Sequence, residues 1–564
     1  MKKKMTERIY TPVKNTAEYI NVLASHKDKI LYRYPVGKIY EQMTYAEFCE
    51  YALDLAAGFT ELGLKGKKIG IIGETAPEWV ASYVATLAAG AVVVPLDKEL
   101  DMEAICGFLA SVEAEAVVYG KSYKGKFDSV MDTHPTVKTF ITAGDEECSA
   151  KMMNISAVRA LGAKRRAESG FEVVVRDAEE LAVMLFTSGT TGTSKCVMLC
   201  EKNIYSTMNS ACQTVEFYPD DTIVSVLPLH HTYELICMLS GMNYGMQIGI
   251  NDSLRHIMKN FAEYQPTGLI LVPLFVNTMY DRIMKKIKDG GKEKLVRFMI
   301  GLSNGLRKIG IDLRRVFFKQ VLDAFGGRIC KIVSGGAPLN PEMMKNFDAF
   351  GITIAEGYGI TECSPLISVN PYYNLKRGSV GPAVPSCTVR IDGDKKNDKG
   401  YTEGEIQVKG DNVMLGYYNN DEENAKAFTA DGWYRTGDIG YMDEDNYIYI
   451  TGRLKSVIVL ENGKNVFPEE IEEYLEKLPE VGEVVVVGRK AEDGETVILT
   501  AIVYPSTEIY GEQIDVERAY NEIKAKVVDL NRKLPSFKVI KNVEIREIPF
   551  EKTTSRKIKR HLVK

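Results

Sequence analysis

The segment that could most clearly do chemistry runs from Leu181 to Lys195. Six apolar residues predict a buried strand, and the nine residues after them include six hydroxyl side chains, two glycines and a final lysine. Glycines let a backbone approach a ligand closely, while hydroxyl, N–H and ammonium groups donate to phosphate oxygens. A solvent-exposed turn can share this composition, but such a turn rarely follows a fully apolar strand. We predict a phosphate-binding loop formed by Thr187, Ser188, Gly189, Thr190, Thr191, Gly192 and Lys195.

The spacing in this loop is not that of a Walker loop, because Lys195 follows a serine and not a glycine.

Two other segments leave room for a flat ring. The residues from Ser334 to Pro338 are small and follow an apolar strand, and Tyr358 lies between two glycines. A tight strand-to-helix turn explains the first segment equally well, and a lone tyrosine between glycines is more often a packing residue.

Four further residues have the chemistry to bind the polar parts of a nucleotide. Thr361 and Glu362 combine a hydroxyl with a hard carboxylate, the type of ligand that Mg²⁺ prefers. Asp438, in a glycine-containing turn, can accept from two sugar hydroxyls, and Arg453 can donate to a sugar or a phosphate. In isolation each of them would be an ordinary solvated side chain.

Two basic or imidazole-containing segments are ambiguous when taken alone. His230 and His231 are adjacent, which suggests a metal site. No third ligand follows at a spacing typical of zinc sites, so a zinc site is the less favoured interpretation. The segment from Thr553 to Arg560 is by composition a basic tail, and such charge runs are usually solvated.

The loop from Thr187 to Lys195 resembles the phosphate loop of the adenylate-forming enzymes, the family of acyl-CoA synthetases, luciferases and peptide-synthetase adenylation domains. Other segments resemble further blocks of that family and stand in the family's order, so the resemblance spans nearly the whole chain. They are Leu227-Pro-Leu-His-His-Thr-Tyr-Glu234, Ser334-Gly-Gly-Ala-Pro-Leu339, Glu356-Gly-Tyr-Gly-Ile-Thr-Glu362, Tyr434-Arg-Thr-Gly-Asp438, Thr451-Gly-Arg-Leu-Lys455 and Thr554-Ser-Arg-Lys-Ile558.

The resemblance implies a nucleotide site with a magnesium ion. Magnesium binding is implied for Glu362, with the Thr187 hydroxyl nearby, and ribose contact for Asp438. Arg453 would donate to the same sugar or to the phosphate. Contact with the adenine ring or the phosphates is implied for Gly335, Gly336, Ala337, Pro338, Glu356, Gly357, Tyr358, Gly359 and Thr361.

The resemblance also implies which residues act on the acyl group. Lys557 matches the family's catalytic lysine, although Arg556 stands where glycine is common, and Lys559 is the second candidate. His231 is expected near the acyl carboxylate, although the family usually has an aromatic residue at the position of His230.

Two residues of the C-terminal region match positions that serve the second half of the family's reaction. Lys455 occupies the hinge about which the small domain swings between the two steps, and Gly463 would line the path of the pantetheine arm. The expected cofactors and co-substrates are therefore ATP, Mg²⁺ and coenzyme A.

In substrate class the chain looks most similar to bacterial long-chain fatty acyl-CoA synthetases. The block from Leu227 to Glu234, the basic segment before Arg328 and the stretch Lys376-Arg-Gly-Ser-Val-Gly381 carry this likeness. A medium-chain ligase, an aryl-CoA ligase and a ligase that loads a carrier protein remain alternatives with the same fold. A nucleotide-binding regulator without turnover is the alternative from another class, but the joint presence of Lys557, Glu362 and Asp438 argues against it.

The elements that must position these residues indicate a large layered α/β body followed by a small α+β domain. Thr44 to Glu47 fits a capping box that opens a helix to Leu62, and strands at 69–72 and 91–95 flank a helix in the order β-α-β. Similar strands are predicted at 181–186, 222–227, 268–272 and 328–333, and shorter elements follow Gly452. We assign residues 1–453 to an AMP-binding N-terminal domain and 454–564 to a mobile C-terminal domain with the catalytic lysine.

Length and composition exclude several classes of protein. A chain of 564 residues exceeds one core of about 250 to 300 residues, and 45% apolar with 26% charged residues excludes a largely disordered chain. A formal net charge of −5 gives no broad positive field, so no nucleic-acid partner is expected. Ten irregularly spaced cysteines without a CxxC pair favour reduced thiols and a cytoplasmic location, and we expect neither an export signal nor a spanning helix.

One segment departs from the overall acidity. From Asp281 to Arg328 there are thirteen basic and five acidic residues, and apolar residues recur at helical spacing. We predict two amphipathic basic helices, around residues 295–302 and 313–321. A solvated helix face is the favoured interpretation, and peripheral contact with an anionic membrane is the alternative.

Overall fold

The computed structural model of the chain describes residues 10–144, 147–149, 151–187, 194–460, 465–491, 496–552 and 558–563. These residues form two compact units. The first contains the described residues up to Thr187 together with Lys195–Thr388 and Val408–Lys426. The second contains Val389–Gln407 and the described residues from Ala427 onwards.

Strands occur along the whole described chain. In chain order they are β1 Ile30–Val36, β2 Ile39–Thr44, β3 Lys68–Ile72, β4 Val92–Pro95, β5 Ala116–Tyr119, β6 Thr139–Thr142, β7 Met152–Asn154, β8 Leu181–Thr187, β9 Lys195–Cys200, β10 Thr222–Ser225, β11 Gln247–Ile250, β12 Gly268–Leu271, β13 Lys331–Gly335, β14 Thr353–Gly359, β15 Leu366–Val369, β16 Cys387–Lys396, β17 Thr402–Gly410, β18 Gly416–Tyr417, β19 Tyr434–Met442, β20 Ile448–Arg453, β21 Ile458–Val459, β22 Asn465–Val466, β23 Val481–Lys490, β24 Val497–Pro505 and β25 Ile540–Ile545.

Helices alternate with these strands through most of the chain. They are α1 Thr16–Ser25, α2 Tyr45–Glu61, α3 Pro77–Ala88, α4 Met102–Ser111, α5 Ile155–Ser169, α6 Glu201–Thr214, α7 Thr232–Asn243, α8 Ile257–Tyr264, α9 Pro273–Asp289, α10 Glu293–Lys308, α11 Arg314–Phe317, α12 Lys319–Asp323, α13 Pro341–Phe350, α14 Asp421–Ala427, α15 Pro468–Leu475, α16 Thr507–Tyr510 and α17 Val516–Asn531.

The largest sheet of the first unit has the strand order β18-β9-β8-β4-β3-β5-β6-β7. Strands β3 and β4 are parallel neighbours joined through α3, which confirms the predicted β-α-β order. The capping box is also confirmed. The Thr44 side chain accepts from the Glu47 N–H, the Glu47 carboxylate accepts from the Thr44 N–H at 2.7 Å, and the helix ends at Glu61 before Gly63 with φ +72°.

A second sheet of the first unit, with the order β12-β13-β14-β15, carries two of the predicted ligand segments. Strands β12, β13 and β14 are parallel, so their carboxyl ends lie at one edge of the sheet. Apolar side chains of α8, α9, α12 and α13 pack on it and form one continuous core. Strand β13 begins at Lys331, three residues after the predicted start.

Of the two helices predicted in the basic segment, only one is a continuous helix in the structure. Helix α10 is confirmed, but the predicted helix around 313–321 is wrong, because α11 and α12 are separated at Phe318 with φ −108° and ψ 25°. The Phe318 ring is buried in the core, with its centroid 5.1 Å from that of Phe350. Burial of this ring turns the chain inward where a continuous helix would have kept it along the surface.

The described part of the second unit contains two sheets of three or more strands. One has the order β16-β17-β19-β20 and the other the order β23-β24-β25, with α15 and α17 packed on the latter around a common apolar core. The predicted α+β texture after Gly452 is confirmed, and Pro468 occupies the first turn of α15. Strand β25, which pairs in parallel with β24, is an element that the sequence pattern did not indicate.

Candidate active site

The predicted phosphate loop connects two antiparallel strands of the large sheet. Thr187 at the end of β8 is the register partner of Lys195 at the start of β9, and the Thr187 hydroxyl donates to the Lys195 carbonyl at 3.4 Å. Ser188, Gly189, Thr190, Thr191 and Gly192 lie outside the described residues. The hairpin therefore fixes both ends of the loop on a buried sheet.

Lys195 lies in a cluster with three other polar side chains of the first unit. Its ammonium group donates to the Glu423 carboxylate and lies 4.8 Å from the centroid of the Tyr417 ring. The Tyr417 hydroxyl donates to Glu362 Oε1 at 2.8 Å. The hydrogen bond from Lys195 is the first cause that lowers the pKa of Glu423, so this carboxyl is ionised at neutral pH.

This cluster brings together the predicted cation of the phosphate loop and the predicted magnesium ligand. Glu362 is half-buried in a short 3₁₀ turn at Thr361–Cys363 that directly follows β14. Tyr417 and Glu423 were not singled out by the sequence, because neither lies in a recognisable block and both are more than 200 residues from Lys195. Their only local signal is a glycine and two adjacent tyrosines at 416–418.

The two segments predicted to hold a flat ring are neighbours in the structure. Gly335 at the end of β13 pairs in parallel register with Gly357 of β14, and Tyr358 follows as a buried residue. A Cβ on Gly335 would meet the Tyr233 ring at 3.3 Å, and a Cβ on Gly359 would meet the Pro365 carbonyl oxygen at 2.0 Å. Gly359 is therefore required by the close approach of the Pro365 backbone, whereas at Gly335 the Tyr233 side chain limits the space.

The edge beyond β13 is open. Gly336 has φ +94°, and it is exposed together with Ala337 and Pro338. Glu356 is buried, and its Oε1 accepts from the Leu339 N–H at 3.0 Å, which ties the two segments together. A Cβ on Gly336 would meet only Val272, at 3.9 Å, so the backbone is accessible at this position.

The two histidines lie at the start of α7. Their ring centroids are 4.1 Å apart, and His230 Nε2 is 3.5 Å from Asp97 Oδ2. Burial, and next the neighbouring His231 ring, lowers the pKa of His230 to about 3. His230 is therefore neutral at pH 7 and cannot serve as a cation for a carboxylate. His231, which the sequence predicts near the acyl carboxylate, is the N-cap residue of α7.

A buried carboxyl group next to this pair was not predicted. Glu234 in the first turn of α7 is 3% exposed and accepts from the Ser225 hydroxyl. Burial raises the pKa of Glu234 to about 8, against hydrogen bonds from Ser225 and from the backbone of Val226 and Leu227. The Glu234 carboxyl group is therefore protonated at neutral pH. Its hydrogen bonds connect α7 to the backbone at Val226 and Leu227.

Two predicted sugar-binding residues meet in the second unit. Asp438 in β19 and Arg453 in β20 are antiparallel register partners, and Arg453 Nε donates to Asp438 Oδ1 at 2.9 Å. Asp438 is 3% exposed, whereas the Arg453 side chain is half exposed. Gly437 has φ +69° and donates its N–H to Glu405 Oε1 at 3.2 Å, which shapes the turn before Asp438.

The remaining predictions fall at the start and the end of the second unit. Lys455 is exposed in a 3₁₀ turn at Leu454–Ser456, directly after β20. Gly463, Arg556 and Lys557 lie outside the described residues. Three residues after Lys557, Arg560 donates to the buried Glu472 of α15.

A family model described as AMP-binding enzyme matches residues 21–418, well over half of the chain. The chain belongs to the AMP-binding enzymes. A second model, described as the AMP-binding enzyme C-terminal domain, matches residues 455–564. The predicted family is thereby confirmed.

Known AMP-binding enzymes resemble the chain over most of its length. The long-chain-fatty-acid–CoA ligase FadD15 of Mycobacterium bovis is 28% identical over 82% of this chain and 78% of its own length. Long-chain-fatty-acid–CoA ligase 1 of Homo sapiens is 29% identical over 83% of this chain and 70% of its own. The crystal structure of ATP-bound MatB from Rhodopseudomonas palustris superposes with a TM-score of 0.73 at 25% identity, covering 96% and 98% of the two chains. The predicted fold class is confirmed.

Metal-binding clusters and membrane-spanning helices are both absent from the described residues. No three side chains of His, Cys, Asp and Glu in this part of the chain converge in a way that could hold a metal ion by themselves. In the same part of the chain, every helix is too short or too polar to cross a bilayer.

Proposed function

We propose that this AMP-binding enzyme is an ATP-dependent, AMP-forming acid–thiol ligase that converts long-chain fatty acids to their coenzyme A thioesters. The observation that carries the proposal is the cluster at Tyr417, where the lysine of the phosphate loop and the carboxylate of Glu362 meet beside the end of β14. The names of the relatives from Mycobacterium bovis and Homo sapiens support the long-chain acyl group.

In the first step an oxygen of the fatty acid carboxylate attacks the α-phosphorus of ATP. The bond between the α-phosphorus and the bridging oxygen breaks, pyrophosphate leaves, and an acyl-adenylate forms. Negative charge on the phosphoryl oxygens is offset by Lys195, by the hydroxyl and N–H groups of the loop from Thr187, and by Lys557. Because these positive groups are already positioned before the reaction begins, no free energy is needed to reorient them in the transition state.

The nucleotide would be bound by the residues that the sequence predicts for it. We assign the adenine ring to the open edge at Gly336, Ala337 and Pro338, beside Tyr358. Asp438 would accept from the ribose hydroxyls, and its bond to Arg453 orients the carboxylate.

The residues present suit a Mg²⁺ ion that is bound by one carboxylate, that of Glu362, together with nucleotide oxygens. Mg²⁺ takes one or two carboxylates plus nucleotide oxygens, and Glu362 is half-buried with one oxygen engaged by Tyr417. Glu362 would hold the ion with the Thr187 hydroxyl, and the ion would supply positive charge to the phosphates.

In the second step the thiolate of coenzyme A attacks the acyl carbon and AMP leaves. We assign Lys455 to the hinge and Gly463 to the pantetheine path, and we divide the chain functionally into residues 1–453 and 454–564. His231 would orient the acyl carboxylate during the first step. We place the enzyme in the cytoplasm, in keeping with its cysteine usage.

A substrate panel tests the proposal and its alternatives. Pyrophosphate exchange is measured with acids from acetic to stearic and with aromatic acids, and thioester formation is measured with coenzyme A or with a carrier protein as the acceptor. The proposal expects both activities to be highest with long-chain acids and coenzyme A. A preference for medium-chain or aromatic acids, or for the carrier protein, replaces the substrate assignment, and nucleotide binding without exchange supports a regulator.

A matched pair of variants tests the division of labour. Lys557→Ala is expected to lower adenylation by about 10² to 10³, the usual loss for one charge-stabilising group, and to leave thioester formation from preformed acyl-adenylate nearly unchanged. Lys559→Ala is the control, because Lys559 is the other candidate in the same tail. Equal losses of both half-reactions in Lys557→Ala, or the larger adenylation loss in Lys559→Ala, would contradict the assignment.

A further inference from the structure

A buried carboxylate of the second unit contacts the turn that precedes Asp438. Glu405 lies on β17, the neighbour of β19 in its sheet, and its side chain is 8% exposed. Its Oε2 accepts from Arg435 Nε at 2.9 Å, and its Oε1 accepts from the Gly437 N–H at 3.2 Å. A carboxylate is costly to bury unless its oxygens are hydrogen-bonded. Both oxygens of Glu405 are bonded, and both donors belong to the same stretch of chain, 435–437.

The residue between these two donors is bound to the same strand. The Thr436 hydroxyl donates to the Ile406 carbonyl at 2.7 Å and accepts from the Asp438 N–H at 3.0 Å. Residues 405 and 406 therefore bind three consecutive residues, 435, 436 and 437. The Thr436 hydroxyl in turn holds the backbone of Asp438. One position of β17 and its neighbour thus set the conformation of the whole turn.

Gly437 has a backbone conformation that benefits from this support. Its φ of +69° lies in the left-handed region, and a Cβ at this position would meet nothing within 4 Å. The positive φ, and not a lack of space, therefore favours glycine here. Because glycine is conformationally permissive, its N–H needs a fixed acceptor if the turn is to keep one conformation. The carboxylate of Glu405 is that acceptor, and it is held on a buried strand.

The turn leads into the carboxylate assigned to the ribose. Asp438 is 3% exposed, and its Oδ1 accepts from Arg453 Nε at 2.9 Å. A carboxylate that accepts from two neighbouring sugar hydroxyls must present its oxygens at defined positions, since hydrogen bonds weaken steeply with distance and angle. The backbone conformation at 437–438 therefore decides whether both hydroxyls can be bound.

We propose that Glu405 is a positioning residue for ribose recognition, which fixes the turn at 435–437 and thereby the carboxylate of Asp438. The inference rests on the proposed function, because it requires a nucleotide whose sugar binds at Asp438. Glu405 acts through Gly437 and Arg435 and needs no contact with the nucleotide. Loss of Glu405 should therefore weaken the binding of a nucleotide that has ribose hydroxyls and hardly affect one that lacks them.

A comparison of two nucleotides separates this role from a general role in folding. 2′,3′-DideoxyATP lacks both ribose hydroxyls and otherwise matches ATP. A residue that only stabilises the sheet would affect the binding of both nucleotides equally. A change in the charge of the protein also acts on both equally and cancels in the ratio of the two affinities. The ratio therefore reports on the hydroxyl contacts alone.

Titration calorimetry of the full chain with each nucleotide and Mg²⁺ measures this ratio. We expect the parent to bind ATP at least about tenfold more tightly than 2′,3′-dideoxyATP, because hydrogen bonds to a charged group are lost with the hydroxyls. Glu405→Ala should lower the affinity for ATP about tenfold and that for the dideoxynucleotide less than about twofold. Glu405→Gln keeps an acceptor for the Gly437 N–H and should retain part of the preference.

Pyrophosphate exchange provides a second readout. Since the ribose contacts are made in the ground state as well as in the transition state, Glu405→Ala should raise KM for ATP and leave kcat nearly unchanged. In the Asp438→Asn background, adding Glu405→Ala should change kcat/KM by less than about twofold, because the two residues act as one unit.

Controls address the fold of the unit. Glu544→Ala removes another strand carboxylate of the second unit, which pairs with Arg489 at 2.7 Å, and should leave both affinities unchanged. Circular dichroism and the unfolding midpoint are recorded for every variant. If Glu405→Ala does not fold, Glu405→Gln and Gly437→Ala decide, since an added Cβ at 437 meets no neighbour and alters only the turn. Gly437→Ala should lose the preference for ATP as Glu405→Ala does.

The outcomes distinguish this role from the proposed reaction. An equal loss of affinity for both nucleotides, an unchanged preference in the folded variants, or additive effects with Asp438→Asn would overturn the role of Glu405. Equal binding of both nucleotides by the parent would overturn it as well, together with the ribose contact of Asp438. A parent that binds ATP but exchanges no pyrophosphate would contradict the proposed function, while the calorimetric ratio would still test Glu405.

Discussion

At the scale of single residues, the site is defined by which charges are already satisfied before a nucleotide arrives. Lys195 is bound to Glu423, so the phosphates must compete for its ammonium group or share it. Glu362 has one oxygen engaged by Tyr417. In the proposed reaction, a nucleotide would therefore meet a lysine and a carboxylate whose positions are fixed by neighbouring side chains.

The Tyr417 hydroxyl should matter for the use of ATP. Tyr417→Phe keeps the ring under Lys195 but removes the donor to Glu362, and we expect kcat/KM for ATP to fall about tenfold, since a hydrogen bond to a charged group contributes about 1.5 to 3 kcal/mol. Steady-state kinetics with saturating acid and coenzyme A gives the value. Tyr418→Phe is the neighbouring control, because the Tyr418 hydroxyl interacts with Lys68. Similar losses in both variants would argue against the assigned contact.

The protonated state of Glu234 should appear in the pH dependence of stability. Its pKa is raised to about 8 in the folded chain, so between the ordinary pKa and 8 the unfolded chain loses a proton that the folded chain keeps. The contribution of Glu234 to the free energy of unfolding must then fall as pH rises, by up to about 1.4 kcal/mol per pH unit. Glu234→Gln, which stays neutral, should lack this slope.

The comparison is made by denaturant unfolding from about pH 5 to about pH 8. A Trp433→Phe background leaves Trp79 of the first unit as the reporter, since the chain has two tryptophans. The free energy of the parent should decline relative to Glu234→Gln across this range. Parallel curves would show that Glu234 is ionised in the folded chain.

At the scale of secondary structure, the sequence could predict the existence and order of several elements, but not all of their bounds. The capping box at Thr44, the β-α-β order and strands at 181–186 and 328–333 follow from apolar period and turn residues, and the structure has these two strands as Leu181–Thr187 and Lys331–Gly335. Local pattern could not predict Tyr417 and Glu423, because only sheet pairing of β18 with β9 brings 417 and 195 together. It also could not predict the break at Phe318, since burial of one ring overrides helical spacing.

Helix α15 should position the tail that carries Lys557. Arg560 donates to Glu472, which is 6% exposed and whose pKa burial raises to about 7. Arg560→Ala removes the partner of this buried carboxyl, and we expect adenylation to fall about tenfold while thioester formation from preformed acyl-adenylate falls much less. The two half-reactions are measured separately.

A conservative variant and a surface variant separate positioning from folding in this test. Arg560→Lys keeps the charge and should recover part of the adenylation rate. Arg532→Ala removes an exposed arginine that pairs with Asp529 at 3.1 Å in the same unit and should have no effect. An equal loss in both half-reactions would mean that Arg560 maintains the fold of the unit and does not position Lys557.

At the scale of the whole molecule, the sequence predicted the class of protein and the position of the basic segment, but not which of that segment's apolar residues face the core. The net −5 correctly describes the chain as mildly acidic, and the basic segment was visible as a run of lysines and arginines. Helix α10 of this segment carries apolar residues on two sides. Their spacing alone does not say which side faces the core and which is exposed. The structure decides this by burying Ser303 and exposing Phe298.

The central claim is that a carboxylate is activated by direct attack on the α-phosphorus of ATP. The most direct test uses a long-chain fatty acid labelled with oxygen-18 in its carboxylate, in a single incubation with ATP, Mg²⁺, coenzyme A and the enzyme, with the products analysed by mass spectrometry. The account predicts AMP that carries one labelled oxygen and pyrophosphate that carries none. Formation of ADP with labelled phosphate, or of AMP without label, would contradict it.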